Sequence, residues 1–306
     1  MRLIPIADKQ HYTIKFMEEK IMAELITNRY SQLVDAKLRA TLVTQDNYIF
    51  STVHEGNGVG GAVIIPVRDT EVEVKAYDKA NGAALSSGAT SYHTLIMSND
   101  EAVNELIDGY DAAALPDDVV AERLASAGYT LGLSMDKKSI KALETTEGVK
   151  VCDVKTACTS SNAYSTVAKA RTYLSRKGVP ASNRWLIASP EFMEVIMQDE
   201  KFIRGGNLSQ ELVKAGCVGR IAGFNVFESN NLMFEDVKAV SGKKTTTEFI
   251  CGHPNWCHRV CEWAVPVAVN PIADGVHIGA AAVQGRKVYA VHISKPETVY
   301  VKRTEA

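Results

Sequence analysis

Residues 71 to 77 read Glu-Val-Glu-Val-Lys-Ala-Tyr, and no other stretch constrains the fold of this chain so strongly. Side chains along a strand alternate between its two faces. Val72, Val74 and Ala76 therefore share one face, while Glu71, Glu73 and Lys75 share the other, up to Tyr77. The segment just before, Gly60 to Val67 (GGAVIIPV), is β-branched and strand-like. Asp78 to Ser91 (DKANGAALSSGATS) is small, polar and glycine-bearing, the composition of a flexible tip, and Tyr92 to Met97 supplies a returning strand. The pattern predicts a long two-stranded ribbon with 71–77 in its outgoing strand. Such a ribbon is barely stable alone in water, because it buries too little and leaves both edges unpaired. It must lie on its own body or on another copy of the chain. Glu71, Val72, Glu73, Val74, Lys75, Tyr77 and Lys79 are thus candidate interface residues, preceded by the charged Arg68 and Asp69.

The chain has 306 residues, enough to bury a substantial core as one large domain or two modest ones. Lys plus Arg number 34 against 36 Asp plus Glu, a net charge of -2. A protein built to grip nucleic acid carries a basic excess, because neutralising phosphates supplies most of that affinity. Only non-specific contact with nucleic acid is expected here. The start, Met1-Arg2-Leu3-Ile4-Pro5, lacks a long apolar run, and the stretch near Ala264 to Val269 is too short to span a bilayer. No membrane partner and no large N-terminal pro-segment are expected. The six cysteines, Cys152, Cys158, Cys217, Cys251, Cys257 and Cys261, read as reduced thiols rather than a disulfide frame.

Helical spacing from Ile14 to Leu42 predicts broken helices in an N-terminal arm. Helices are expected to dominate from Asn99 to Thr145. One long amphipathic helix should start near Pro116-Asp117-Asp118 and bury Val120, Leu124, Ala127, Leu131 and Met135, running on past Ile140 and Leu143. Ser161 is the expected cap of a second helix that Gly178 and Pro180 end. Arg184 to Ala188 reads as a buried strand, with Ser189-Pro190-Glu191 capping the helix after it. Strands return at Gly223 to Phe227, at Phe249 to Cys251 and from His277 to Val301. The result is a mixed α+β body.

Three patterns invite a chemical reading. Gly56, Gly58 and Gly61 satisfy GxGxxG, yet they open Val63-Ile64-Ile65-Pro66, which resists the helix a dinucleotide site needs; a hinge at the ribbon root fits better. Cys251, His253, Cys257, His258 and Cys261 form the one ligand-type cluster, with Cys257 and Cys261 spaced for one helical face, and a Cys/His metal-dependent enzyme is the reading they would support. Paired CxxC knuckles are missing, and the intervening Pro254, Asn255 and Trp256 read as packing. Ser134 sits on the amphipathic helix without a nucleophile elbow, so it reads as structural. No catalytic residue and no cofactor are expected.

Three stretches in order resemble the Hong Kong 97 fold of tailed-phage major capsid proteins. Gly60 to Val67 is similar to the opening strand of that family's extended loop, and Asn183 to Phe192 (NRWLIASPEF) to its strand-to-helix step. Val218 to Leu232 (VGRIAGFNVFESNNL) is similar to its glycine-turn strand with an asparagine stop. There Gly219 and Gly223 would permit positive φ, Phe224 would pack, and Asn230 and Asn231 would take left-handed turns. The resemblance implies an N-terminal arm over 1–44, an extended loop over 45–98, a peripheral domain of 99–150 with 275–306, and an axial domain over 151–274. It implies a non-catalytic subunit that assembles into pentamers and hexamers of an icosahedral phage head around double-stranded DNA. Its expected partners are a separate scaffolding protein, a portal and a decoration protein, with assembly in the host cytoplasm and residence in the virion. An encapsulin-like compartment shares this fold and stays open as the alternative. Some relatives join subunits by a lysine to asparagine bond, and Lys75 and Lys79 lie on the corresponding loop.

Overall fold

The structure is a computed structural model that describes residues 39–45, 47–52, 62–68, 71–107, 117–198, 203–204, 216–232, 245–273, 275–277 and 279–305. The expected arm before residue 39, the Gly56, Gly58 and Gly61 hinge, Asp69 and the Arg68 side chain lie outside that description. The elements in order are β1 (Ala62–Arg68), β2 (Thr90–Ile96), β3 (Asn99–Ile107), α1 (Asp117–Thr145), β4 (Lys150–Val151), α2 (Ala163–Arg176), β5 (Trp185–Ala188) and α3 (Pro190–Met197). They continue with β6 (Ile203–Arg204), β7 (Cys217–Ile221), β8 (Phe224–Glu228), β9 (Thr245–Gly252), β10 (Cys257–Pro271), β11 (Ala281–Ile293) and β12 (Tyr300–Glu305). Three sheets result: the ribbon β1-β2, a three-stranded sheet β10-β11-β3, and a seven-stranded sheet β4-β12-β9-β5-β8-β7-β6. Among the described residues no helix is long and apolar enough to cross a membrane.

The seven-stranded sheet is buried on both faces at its centre, and β5 shows why the sequence there is a continuous apolar run. Leu186 and Ala188 turn into a core with Val167, Leu174, Phe192, Ile196, Phe224 and Phe249, under α2 and α3. Trp185 and Ile187 turn the other way, to Val43, Ile49, Phe50, Ile140, Leu143, Phe227, Ile250 and Val301. Period-two alternation thus places successive residues in two different cores. Arg184 stays buried beside this strand because its guanidinium donates to the carbonyls of Pro180, Arg171 and Val179 and to Ser175 Oγ. Ser189 caps α3 as expected, its Oγ accepting from Phe192 N at 3.2 Å.

Helix α1 matches its sequence expectation nearly to the residue, and at about 1.5 Å per residue it is roughly 43 Å long. Ala127, Leu131, Met135, Ile140 and Leu143 are buried. Ser134 proves structural: its Oγ donates to Glu101 Oε1 at 2.8 Å.

Four local expectations are corrected. First, 71–77 is not in the paired ribbon. Strand β1 uses up its partner from Ala62 opposite Ile96 to Arg68 opposite Thr90, so the ladder ends before residue 71. Continued, that register would set 71–75 against Ala83 to Ser87, which lack the β-branched and aromatic side chains that stabilise cross-strand pairs. Second, Asn99–Ile107 is a strand rather than helix. It pairs over its whole length with β11, and Val103 and Ile107 reach the cluster that holds Ala127 and Leu124 of α1. Tertiary pairing overrides the helical look of its acidic sequence. Third, Cys257 and Cys261 lie on strand β10, not on a helix. Fourth, α2 starts after Asn162 rather than Ser161; Asn162 Oδ1 instead accepts from Thr159 N, closing a turn ahead of the helix.

Candidate assembly surface

The three-stranded sheet carries α1 on one face and the ribbon on part of the other, while Trp263, Val265 and Val269 of β10 and Leu106 of β3 stay exposed. Odd-numbered residues of β3 and β11 face α1, as Glu101 bonds Ser134 and pairs with Lys138 at 2.6 Å. The opposite face carries His258 and Val260 of β10 with Ala290 and His292 of β11, which are direct cross-strand partners. Onto it folds the inner face of the ribbon: Val63, Ile65 and Leu95 pack with Val260 and Ala290. His93 belongs to the same inner face, opposite Ile65, and its ring lies 5.3 Å from that of His292. Burial, then the neighbouring His93, holds the His292 imidazole below the usual histidine range.

The ribbon root therefore rests on its own chain, but its outer face does not. Ile64, Tyr92 and Ile96 point outward and are 61%, 70% and 65% exposed. Beyond the root, the loop 71–89 runs free of the body, with Val74 and Leu85 wholly exposed. Tyr77 and Val72 are also largely exposed, and Lys75 pairs only loosely with Glu73, at 3.9 Å. Lys79 lies in a small turn closed by the paired Asp78 and Gly82, where the Asp78 carboxylate accepts from Ala80 N at 2.8 Å and Asn81 Nδ2 at 3.1 Å. Those hydrogen bonds hold the Asp78 carboxyl below the usual range. A strand-patterned segment with its apolar side chains in water is the form of an interaction surface, not of a finished fold.

The structure does not bring the Cys/His cluster together. Cys251 is fully buried in β9 and Cys257 is fully buried at the start of β10, and burial pushes both thiols up. Cys261 sits four residues further along β10, opposite Tyr289. His253 Nδ1 accepts from Asn255 N at 3.2 Å, and His258 Nε2 lies 3.2 Å from Ser294 Oγ. Among the described residues no three His, Cys, Asp or Glu side chains are placed to hold a metal ion. Outside the cluster, Cys158 is pushed up to about 12, by burial and then by Glu248.

The turn motif holds residues with different roles from those expected. Gly223 has φ +86 and forms, with Ala222 at φ +47, the two-residue turn between β7 and β8. Two successive positive φ values are what a type I′ hairpin demands. Alanine tolerates that region poorly. Ala222→Asn is expected to raise stability by about 0.5–1 kcal/mol, read as a shifted midpoint in urea denaturation; an unchanged or lower midpoint would contradict the turn assignment. Gly219 lies within β7 and is not at positive φ; Gly216, just before the strand, is. Asn230 and Asn231 are not left-handed either. Asn231 acts through its side chain, donating to Asp136 Oδ2 at 2.6 Å. Asp136 also accepts from Thr44 N at 2.9 Å and Thr44 Oγ1 at 2.7 Å. The Arg259 guanidinium donates to the carbonyls of Thr44 and Gln45. This junction of arm, long helix, β8 and β10 was missed in the sequence, where the four residues lie far apart.

No protein-family model matches the chain, and no curated protein does. Solved structures do. A structure from Mycobacterium phage Che8 matches with a TM-score of 0.65 and 17% identity, over 90% of this chain and 96% of that one. The capsid of cyanophage P-SCSP1u matches with a TM-score of 0.66 and 14% identity, over 92% and 93%. A virus-like particle from Pyrococcus furiosus matches with a TM-score of 0.50 and 14% identity, over 86% and 92%. Likeness along nearly the whole chain defines the architecture as a mixed α+β fold shared with these structures. The chain has the Hong Kong 97 fold.

Proposed function

We propose that this chain is a major capsid protein, a non-catalytic subunit that assembles with copies of itself into pentamers and hexamers of an icosahedral phage head around double-stranded DNA. The observation that carries this reading is the extended loop, whose strand-patterned 71–77 and outward Ile64, Tyr92 and Ile96 have no cover among the described residues. In a shell each loop would lie over an adjacent subunit, with Val72, Val74 and Tyr77 giving contact area and Glu71, Glu73, Lys75 and Lys79 setting register. Each contact is weak, but a subunit in a closed lattice cannot leave without breaking several at once. Long helix α1, braced by the sheet, would supply stiffness.

The division of the body follows the sheets in this reading. The three-stranded sheet with α1 forms the peripheral domain, so β10 belongs there with β11 and β3. The seven-stranded sheet with α2 and α3 forms the axial domain, which β12 joins from the C-terminal end. In this reading the extended loop leaves the body after Ser51 rather than at residue 45, because Ile49 and Phe50 are buried in the core and Ser51 bridges to His258 of β10. A scaffolding protein, a portal and a decoration protein are the proposed partners, and the virion is the proposed location. A compartment shell around cargo protein is the second reading, supported less because the Pyrococcus furiosus particle matches with a lower TM-score than the two phage structures.

Reversing two charges tests the interface. Glu73→Lys with Lys75→Glu is expected to leave the subunit soluble and folded by circular dichroism. Particle yield by size exclusion and negative-stain microscopy should fall about tenfold or more, since juxtaposed like charges cost several kcal/mol. Unchanged particles would remove the loop from the interface. Double-stranded DNA inside the purified particles supports the phage head; an enclosed enzyme supports the compartment.

A further inference from the structure

The ribbon root is held to the body by a contact that the shell reading does not require. His93, from β2, lies over His292 of β11, and His258 of β10 stands directly across the sheet from His292. We propose that this histidine contact is an acid-released latch, which keeps the root of the extended loop docked on its own sheet while the rings are neutral and lets it swing away when they are protonated.

The argument is geometric first. The two rings belong to the two sides of a small contact: Val63, Ile65, Leu95 and His93 of the ribbon, with Val67 and Met97 at its margin, meet Val260, Ala290 and His292 of the sheet. Two imidazoles with centroids 5.3 Å apart are compatible when neutral. Two imidazolium ions at that separation repel, and both would lose water in the docked state.

Among the described residues, the surroundings offer the pair no compensating charge close by. Facing the pair, β1 contributes Val63, Ile65 and Val67, and β2 contributes Ser91 and Leu95 besides His93. On β10 the same face carries His258, Val260 and Glu262, and Glu262 stands opposite Val288, four residues from His292. Asp100 of β3 faces the same way but is already paired with Arg286, whose Nε lies 2.8 Å from it. Arg259 turns to the opposite face, toward Thr44. In the segment 47–52 beside His258, Tyr48 is the one titratable residue.

The direction of the pH effect follows. Docking lowers the proton affinity of His292, so the undocked form binds protons more readily. The docked form is fully favoured above the ordinary histidine range, near ~6.5, and loses that advantage as pH falls below it. In a shell, mild acidity would free the loop to change its place on a neighbour; that consequence alone rests on the capsid reading.

Hydrogen exchange on the purified full-length chain tests the latch. At pH 5.5 against pH 7.5, corrected for intrinsic exchange, peptides covering 62–68 and 90–96 should exchange about fivefold faster, while peptides in β5 and β9 stay unchanged. His93→Gln with His292→Gln, neutral at both pH values, should remove the difference; if that pair fails to fold, His93→Gln alone serves. A wild type without the pH response, a variant that keeps it, or acceleration spread over the whole chain would each overturn the latch. Negative-stain images of the same samples report separately on shells, so an absence of particles counts against the capsid reading and not against the latch.

Discussion

Asp136→Ala is expected to cost about 3–5 kcal/mol of stability, the largest loss from any single truncation outside the apolar cores. Asp136 and Thr44 are fully buried, and the carboxylate accepts from the Thr44 amide, the Thr44 hydroxyl and the Asn231 side chain. Removing it leaves three donors without a partner and nothing polar to replace it. Chemical denaturation should show the loss, and the melting temperature should fall by roughly 10 °C in a domain of this size. Asp136→Asn keeps one acceptor for Thr44 but turns a second donor toward Asn231, so it should recover only part. A loss under about 1 kcal/mol for the alanine variant would mean that the arm does not depend on this helix for its position.

Lys302→Met is expected to be nearly as damaging, at about 3–4 kcal/mol. Lys302 is fully buried in β12, and its ammonium donates to the carbonyls of Val154 at 2.8 Å, Thr156 at 2.7 Å and Arg303 at 3.1 Å. It also stands 3.6 Å from Glu248, whose other oxygen accepts from Cys158 N at 2.8 Å. Methionine fills the space of the stem but strands three acceptors and a nearly buried carboxylate. Adding Glu248→Gln to the methionine variant should recover part of the loss, because the two residues are coupled. Hydrogen exchange should localise the damage to 152–158. Additive effects of the two substitutions would dissolve the proposed pair.

Much of the architecture was legible because it rests on local periodicity. The α1 helix carries its apolar residues at three- and four-residue spacing, so its extent could be read directly. Strand β5 and the Ser189 cap were equally plain, since a four-residue apolar run followed by Ser-Pro-Glu has few other uses. Strand β3 was misread for the opposite reason: its pattern is weak, and only its pairing with β11, from Ile107 opposite Ala281 to Asn99 opposite Tyr289, makes it a strand. The segment 71–77 shows the converse. Its alternation is the clearest in the chain, yet it has no partner strand among the described residues, because pattern announces what a strand would bury and not where its partner lies. The candidate surface was therefore found by pattern, while the junction around Asp136 stayed hidden. Thr44, Asp136, Asn231 and Arg259 converge only through the fold, and each alone looks ordinary.

At one rim the seven-stranded sheet ends in a strand of only two residues, β4, paired with Tyr300 and Val301 of β12. Such a stub offers a foreign chain almost no backbone to copy. During shell formation many subunits meet at very high local concentration, the condition under which open sheets fuse into fibres. With that rim of its largest sheet cut short, a subunit of the proposed shell would crowd against its sisters with one fewer route to aggregation, and cohesion there would be left to surfaces that select their partner by side chain.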